Sequence, residues 1–321
     1  MFSNKPLIVI VGPTATGKTE ISIMLAKRFS GAIISADSMQ LYKYLNIGSA
    51  KPTKEEMGNI QHYMIDEIDP GEEFNVACYK ERVYHYMKDI YINKKTPILV
   101  GGTGLYINAI INNIDFFQSS SDPDYRKQLE KCSDENGNQY LYDLLISKDP
   151  ARASQLHPND RKRIIRALEI LNSTGQPIPS TGSVFQKNGP FKLAIIGLYM
   201  DRIDIHKRIN QRVDTMLASG LLEEVKNLLA MGYARDIPAL QGLGYKEMIY
   251  YLRGECSFDD AIQFIKRDTR RFAKRQMTWF KRDQRISWYN VLQYKNKESL
   301  AQKIELHIRE KISLIQYLFI I

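Results

Sequence analysis

Residues Gly12, Pro13, Thr14, Ala15, Thr16, Gly17, Lys18 and Thr19 follow the spacing G-x-x-x-x-G-K-[ST] of a loop that binds a phosphate chain. The two glycines permit backbone angles at which successive N–H groups converge on phosphate oxygens. The helix expected after the loop adds the partial positive charge of its N-terminus. Lys18 supplies a full charge to the outer phosphate, and Thr19 places a hydroxyl where Mg²⁺ would sit. Residues 7–11 predict a buried strand before the loop and residues 20–29 a helix after it, the context that the motif requires. The loop does not say what carries the phosphates. A nucleotide such as ATP or GTP, or a free or esterified diphosphate, would fit.

An ordinary P-loop enzyme also places an acidic residue at the end of a second core strand. The apolar run 98–100 ends instead in Gly101-Gly102-Thr103-Gly104. The acidic candidate is Asp37, after the run 32–35. By itself Asp37-Ser38 reads as a helix N-cap; beside a phosphate loop it reads as a metal ligand or a general base. Thr103, set among glycines, either presents its hydroxyl to something closely approached or stabilises a turn. His62 has no second ligand at metal spacing and reads as a structural histidine.

The elements that must position these residues are short β-branched runs at 7–11, 32–35, 98–100 and 193–198, separated by helical stretches. That alternation predicts an α/β fold: a P-loop NTPase-like parallel sheet flanked by helices. Strand carboxyl ends line the ligand crevice of such a sheet, and three of these runs end at Gly12, at Asp37-Ser38 and at Thr103. The alternation stops near Asp115. A helical insertion domain is expected over 116–190, with the catalytic core formed by 1–115 and 191–321. From Arg202 onward the pattern reads as helical almost to the end.

The chain has 321 residues, 44% hydrophobic and 25% charged, enough for a large buried core. Its formal net charge is +9, and residues 266–285 hold nine Lys or Arg against two Asp, so nearly all of the excess is local. A local basic block points to a polyanionic partner or to a solvated helix face. Ile265, Phe272 and Trp279 recur every seven residues in it, a packed stripe, with the basic residues largely on other faces. A second basic patch, Lys162, Arg163 and Arg166, falls on a helix predicted to start near Asp160. Cys78, Cys132 and Cys256 make no metal or disulfide pattern. The start of the chain lacks the pattern of a signal peptide, and the apolar 312–321 is too short to span a bilayer and reads as a docked segment. A cytoplasmic protein without a membrane partner is expected, and a monomer.

The blocks GPTATGKT, DSMQLY, IGSAKPT, HYMID, GGTGLYI, HPNDRKRIIRALE, QGLGYKE and RRFAKRQMTWFKRD, in this order, resemble the tRNA dimethylallyltransferases (isopentenyl-tRNA transferases) over nearly the whole chain. The resemblance implies transfer of a dimethylallyl group from dimethylallyl diphosphate to the N6 amine of the adenine on the 3′ side of the anticodon, in the anticodon stem-loop of tRNA. It implies that the phosphate loop holds the leaving diphosphate with Mg²⁺, that Asp37 takes the amine proton, and that Thr103 orients the amine. It carries tRNA contacts to Asp37, Ser38, Met39, Gln40, Thr103, Arg126, Lys162, Arg163, Ile164, Ile165 and Arg166. It carries them also to Gln241, Gly242, Gly244, Tyr245, Lys246, Arg275, Gln276, Thr278, Trp279, Lys281 and Arg282. Ser49 stands where a threonine is usual, and Tyr63 where a second histidine is common. Without the zinc-finger extension of eukaryotic relatives the chain is similar to the bacterial form, and no zinc is expected. Two other classes fit part of the pattern: a small-molecule kinase with Arg161, Arg163 and Arg166 in its lid, and a non-catalytic RNA-binding protein. The first leaves the block at 266–285 unexplained.

Overall fold

In a computed structural model the chain is described over residues 2–114, 122–175 and 189–312. The described chain separates into two compact units, residues 1–114 with 187–321, and residues 115–186.

The larger unit is built on a six-stranded sheet: β1 (Lys5–Val11), β2 (Gly31–Ala36), β3 (His62–Tyr63), β4 (Thr96–Gly101), β5 (Phe191–Tyr199) and β6 (Ile286–Asn290). The order is β3-β2-β4-β1-β5-β6 and every pairing is parallel. β1 lies between β4 and β5, with Ile8 opposite both Ile98 and Ala194. Strands buried on both faces need apolar residues at successive positions. In β1, Leu7, Val9 and Val11 enter one core while Ile8 and Ile10 enter the other. Around the first half of the sheet run α1 (Lys18–Arg28), α2 (Lys54–Met57), α3 (Val76–Ile92) and α4 (Gly104–Ile111).

The smaller unit holds α5 (Pro123–Lys148), α6 (Pro150–Ala153) and α7 (Arg161–Thr174) around a core of Leu129, Leu141, Leu145, Ile164, Ile165 and Leu168. Gly137 interrupts α5 with non-helical angles (φ 83°, ψ 167°). The larger unit is completed by α8 (Arg202–Ala218), α9 (Leu221–Ala230), α10 (Tyr245–Leu252), α11 (Phe258–Phe280) and α12 (Lys297–Ile312). One face of the sheet is covered by α1 and α12, through Ile21, Leu25, Leu300 and Ile304. The other packs against α3, α4 and the helices from α8 to α11.

The expected runs at 7–11, 32–35, 98–100 and 193–198 are all strands. The reading of 202 onward as helical almost to the end is corrected by β6. Its Ser287 and Asn290 break the apolar run, as an edge position beside β5 allows. Asp37 caps no helix. Its Oδ1 accepts from the Met39 amide at 2.9 Å within a turn, and the next helix begins at Lys54. Residues 118–121, most of the 175–179 turn and residues 313–321 lie outside the described residues. Among the described residues no helix is long and apolar enough to cross a membrane.

Candidate active site

The phosphate loop leaves β1 at Gly12, whose φ is 144°. A Cβ there would sit 2.2 Å from the Leu198 carbonyl oxygen on β5, so the turn requires glycine. Thr16 Oγ1 donates to the Pro13 carbonyl at 2.8 Å and is buried, which fixes the loop from inside. Gly17, at φ 82°, starts α1. The Lys18 ammonium donates to the Pro13 carbonyl at 2.7 Å. Burial pushes its pKa down to about 7; Asp37 opposes the shift and Arg212 adds to it.

The loop opens on a cavity of about 980 Å³ at the carboxyl ends of β1, β2 and β4. Asp37 follows β2 and Thr103 follows β4. The Ser38 amide donates to Thr103 Oγ1 at 3.1 Å, and the Thr103 amide to the Ala36 carbonyl at 3.0 Å. The two strand ends are thus tied together, with both functional side chains lining the cavity.

Two helices from late in the sequence grip the loop at one residue. Gln276 of α11, buried, accepts from the Thr14 amide at 2.9 Å and donates to the Gly102 carbonyl at 3.0 Å. A Cβ on Gly102 would lie 2.1 Å from that amide nitrogen, so only glycine admits the bridge. Arg212 of α8 donates to the Thr14 hydroxyl at 3.3 Å. Burial lowers the pKa of its guanidinium and Asp37 opposes this.

The opposite rim is residues 46–52. Glu224 of α9 accepts from the amides of Asn46 (2.9 Å), Ile47 (2.8 Å) and Gly48 (3.1 Å), and from the Tyr245 hydroxyl (2.7 Å). That single carboxylate holds Gly48, Ser49 and Ala50 against the cavity.

Eleven of the residues expected to meet tRNA line this one cavity: Asp37, Ser38, Met39, Gln40, Thr103, Gln241, Gly242, Gly244, Lys246, Arg275 and Gln276. Trp279 packs over Gly104, and Tyr245 is buried beneath the rim. Thr278, Lys281 and Arg282 are exposed and outside the cavity lining. In the smaller unit, Lys162 and Arg163 are exposed, whereas Ile164 and Ile165 are buried in its core. Arg126 is engaged: its Nε and Nη2 reach the buried Glu169 carboxylate at 2.7 and 2.8 Å, and Arg166 reaches it at 3.4 Å.

Sequence reasoning missed Arg212 and Glu224, and for Gln276 it gave a tRNA contact and no role in holding the loop. The signal was present. Ile205, Ile209, Arg212 and Met216 fall on one helical stripe, as do Ile265, Thr269, Phe272 and Gln276. A polar residue at an apolar position of such a stripe has a buried partner to meet. Glu224 gives no comparable signal, being one of two glutamates in the first turn of α9.

For a metal, the cavity offers the Thr19 hydroxyl and the Asp37 carboxylate. Oxygen donors suit Mg²⁺, which keeps waters and is completed by phosphate oxygens. Among the described residues no cluster of three or more His, Cys, Asp or Glu could hold a metal ion. His62 Nδ1 lies 2.8 Å from the Ile60 carbonyl, which fits a structural role.

A parallel sheet whose first strand feeds a phosphate loop, with a carboxylate and a hydroxyl from neighbouring strand ends facing it, defines a P-loop α/β enzyme. Residues 40–283 match the family model described as IPP transferase. The tRNA dimethylallyltransferase of Acetivibrio thermocellus is 48% identical over 303 residues, covering 94% of this chain and 97% of the relative. That of Alkaliphilus oremlandii is 48% identical over 300 residues (94% and 96%). The full-length tRNA isopentenylpyrophosphate transferase structure from Bacillus halodurans superposes with a TM-score of 0.72 at 41% identity, covering 98% of this chain and all of that one. A eukaryotic dimethylallyltransferase acting on tRNA superposes at 0.79, with 30% identity and coverages of 94% and 77%. This chain belongs to the IPP transferase family.

Proposed function

We propose that this enzyme transfers the dimethylallyl group of dimethylallyl diphosphate to the N6 amine of the adenine on the 3′ side of the tRNA anticodon, in the cytoplasm. The observation that carries the reading is that Asp37 and Thr103 both line the cavity at the phosphate loop, their strand ends tied by the bond from the Ser38 amide to Thr103 Oγ1.

The loop amides and Lys18 hold the diphosphate, and the apolar wall of Ile209, Val213 and Met216 suits a five-carbon chain. An exocyclic adenine amine is a poor nucleophile and must lose a proton as it attacks. Thr103 accepts or donates one hydrogen bond to orient the amine, and Asp37 takes the proton. The N6–C1 bond forms as the C1–O bond breaks, and the electron pair of that bond leaves with the diphosphate. Lys18 and Arg212 stabilise this developing charge. Bound through Thr19, with Asp37 within the same cavity, Mg²⁺ would supply further neutralisation of the leaving group. The adenine reaches the cavity by leaving the anticodon-loop stack. Lys246, Arg275, Lys281 and Arg282 bind the surrounding phosphates, and Lys162, Arg163 and the smaller unit take the adjoining RNA.

Asp37→Asn keeps the turn and removes the base. Turnover should fall about 10³-fold, with tRNA affinity nearly unchanged, when nucleosides of reacted tRNA are measured by mass spectrometry. Unchanged turnover in Asp37→Asn would sink the assignment of the base. Label moving from ATP to a small acceptor, with no prenylated adenine formed, would sink the reaction.

A further inference from the structure

A second cavity, of about 830 Å³, lies on the other side of α11 in the same unit. The two cavities share a wall. Gln276 and Phe272 face the first, while Lys274 and Met277 face the second. Thr14 lines the first and Pro13 the second. Between them sits a small apolar cluster of Met200, Ile205, Ile209 and Ala273, with Ala15 packed on it.

Aromatic rings line part of this cavity. Tyr199 and Trp288 meet edge to face, their centroids 6.1 Å apart at 81°, and both are only partly covered. His206 joins them. Burial, and then Arg202 and Arg270, lower its pKa.

Six Arg and Lys side chains share the lining. Arg270 donates to Asn210 Oδ1 at 2.7 Å, a partner that fixes its head without cancelling its charge. Arg267 and Arg271 are both held by Asp268. Arg202, Lys274 and Lys281 also line the cavity, with no ion pair to them among the described residues. Asp201 is the carboxylate of the lining. Like charges gathered on one concavity repel each other, and a polyanion relieves that repulsion. The rings add a demand that free phosphate does not meet: a flat, π-bearing group beside the anion. Aromatic surface beside a basic groove is how proteins hold single-stranded nucleic acid.

We propose that the second cavity receives another nucleotide of the substrate RNA, its base on Tyr199 and Trp288 and its flanking phosphates on Arg202, Lys274 and Lys281. The inference rests on the tRNA reading above. The strand would straddle α11, a helix about 10–12 Å across, with the target adenine on one side and a near neighbour on the other.

The test is the full-length chain with Arg202→Ala and Lys274→Ala combined, and separately Trp288→Leu. Steady-state kinetics and filter binding of unmodified tRNA are run over a range of salt. The double variant should raise KM for tRNA about tenfold and reduce the salt slope by about 1.5, two phosphate contacts at ~0.7–0.9 each. Its kcat and its KM for dimethylallyl diphosphate should not move. Trp288→Leu should raise KM for tRNA about tenfold with the slope unchanged, because stacking carries no counterion. An unchanged KM and slope in the double variant would overturn the proposal. So would ATP binding that the double variant loses while tRNA binding persists, because the cavity would then serve a free nucleotide. A wild-type chain that binds tRNA without prenylating it would overturn the reading of function, and the salt slope would still decide the cavity.

Discussion

Two helices look alike as sequence, α7 with its Arg-Lys-Arg start and α11 with its basic block, yet their charges have different fates. In the smaller unit the arginines are already engaged. Arg126 and Arg166 converge on buried Glu169, Arg161 holds Asp134, and Arg163 leans on Asp160. Lys274 and Arg275 on α11, and Lys281 just past its end, face cavities with no carboxylate against them in any ion pair among the described residues. A charge run therefore says little until its counter-charges are located. Arg126 and Arg166 tie down a buried carboxylate of the smaller unit; on α11 Lys266, Arg267 and Arg271 are paired, and Lys274 and Arg275 are available to a ligand.

That contrast can be broken or sharpened by substitution. The largest effect is expected from the position where α11 is least like a surface helix. Gln276→Leu strands the Thr14 amide and the Gly102 carbonyl, at about 1–3 kcal/mol each. Turnover should fall about 100-fold, with KM for dimethylallyl diphosphate raised and tRNA affinity little altered. A loss confined to tRNA affinity would show that Gln276 meets RNA rather than positioning the loop.

Next comes Arg126→Ala, which leaves the Glu169 carboxylate buried with Arg166 as its remaining ion-pair partner among the described residues. Breaking a buried pair costs about 3–5 kcal/mol. The arginine head is partly exposed, so about 2 kcal/mol is expected, read as a lower denaturation midpoint. If stability holds while tRNA affinity falls, Arg126 belongs with the cations of α11 instead.

Arg275→Ala combined with Lys281→Ala should weaken tRNA binding about tenfold and lower the salt slope by about 1.5, leaving the denaturation midpoint and diphosphate affinity in place. Equal loss of both affinities would mean that the block serves the diphosphate.

The smallest effect near neutral pH concerns Lys18. Its pKa in the free site is about 7, and diphosphate oxygens raise it. Above pH 7 binding must therefore take up a proton, and affinity falls toward tenfold per pH unit between pH 8 and 9; below pH 7 Lys18 contributes no such slope. Titration calorimetry without divalent metal, in two buffers of different ionisation enthalpy, reads the uptake directly. Proton release on binding would contradict it.

The parts of the site that were legible in the sequence are those fixed by local chemistry. The phosphate loop, Asp37 and Thr103 each follow a strand that is buried on both faces and so reads as a continuous apolar run. β6 escaped because an edge strand tolerates Ser287 and Asn290, and β3 because it has two residues. Gln276 and Arg212 escaped for another reason. Their meaning lies in partners 262 and 198 residues away, which spacing along the chain cannot announce. Ile164 and Ile165 show the converse: a motif can carry core residues along with its ligand contacts.

The double grip on Thr14 has a consequence for how the enzyme is made. The phosphate loop leaves the ribosome ahead of α11, and the glutamine that squares it against Gly102 comes 262 residues after Thr14. At ~5–20 residues per second, roughly 10–50 s of synthesis separate them. A nascent chain thus displays the motif long before it has the pocket, and its capacity to capture diphosphate matures only when α11 docks.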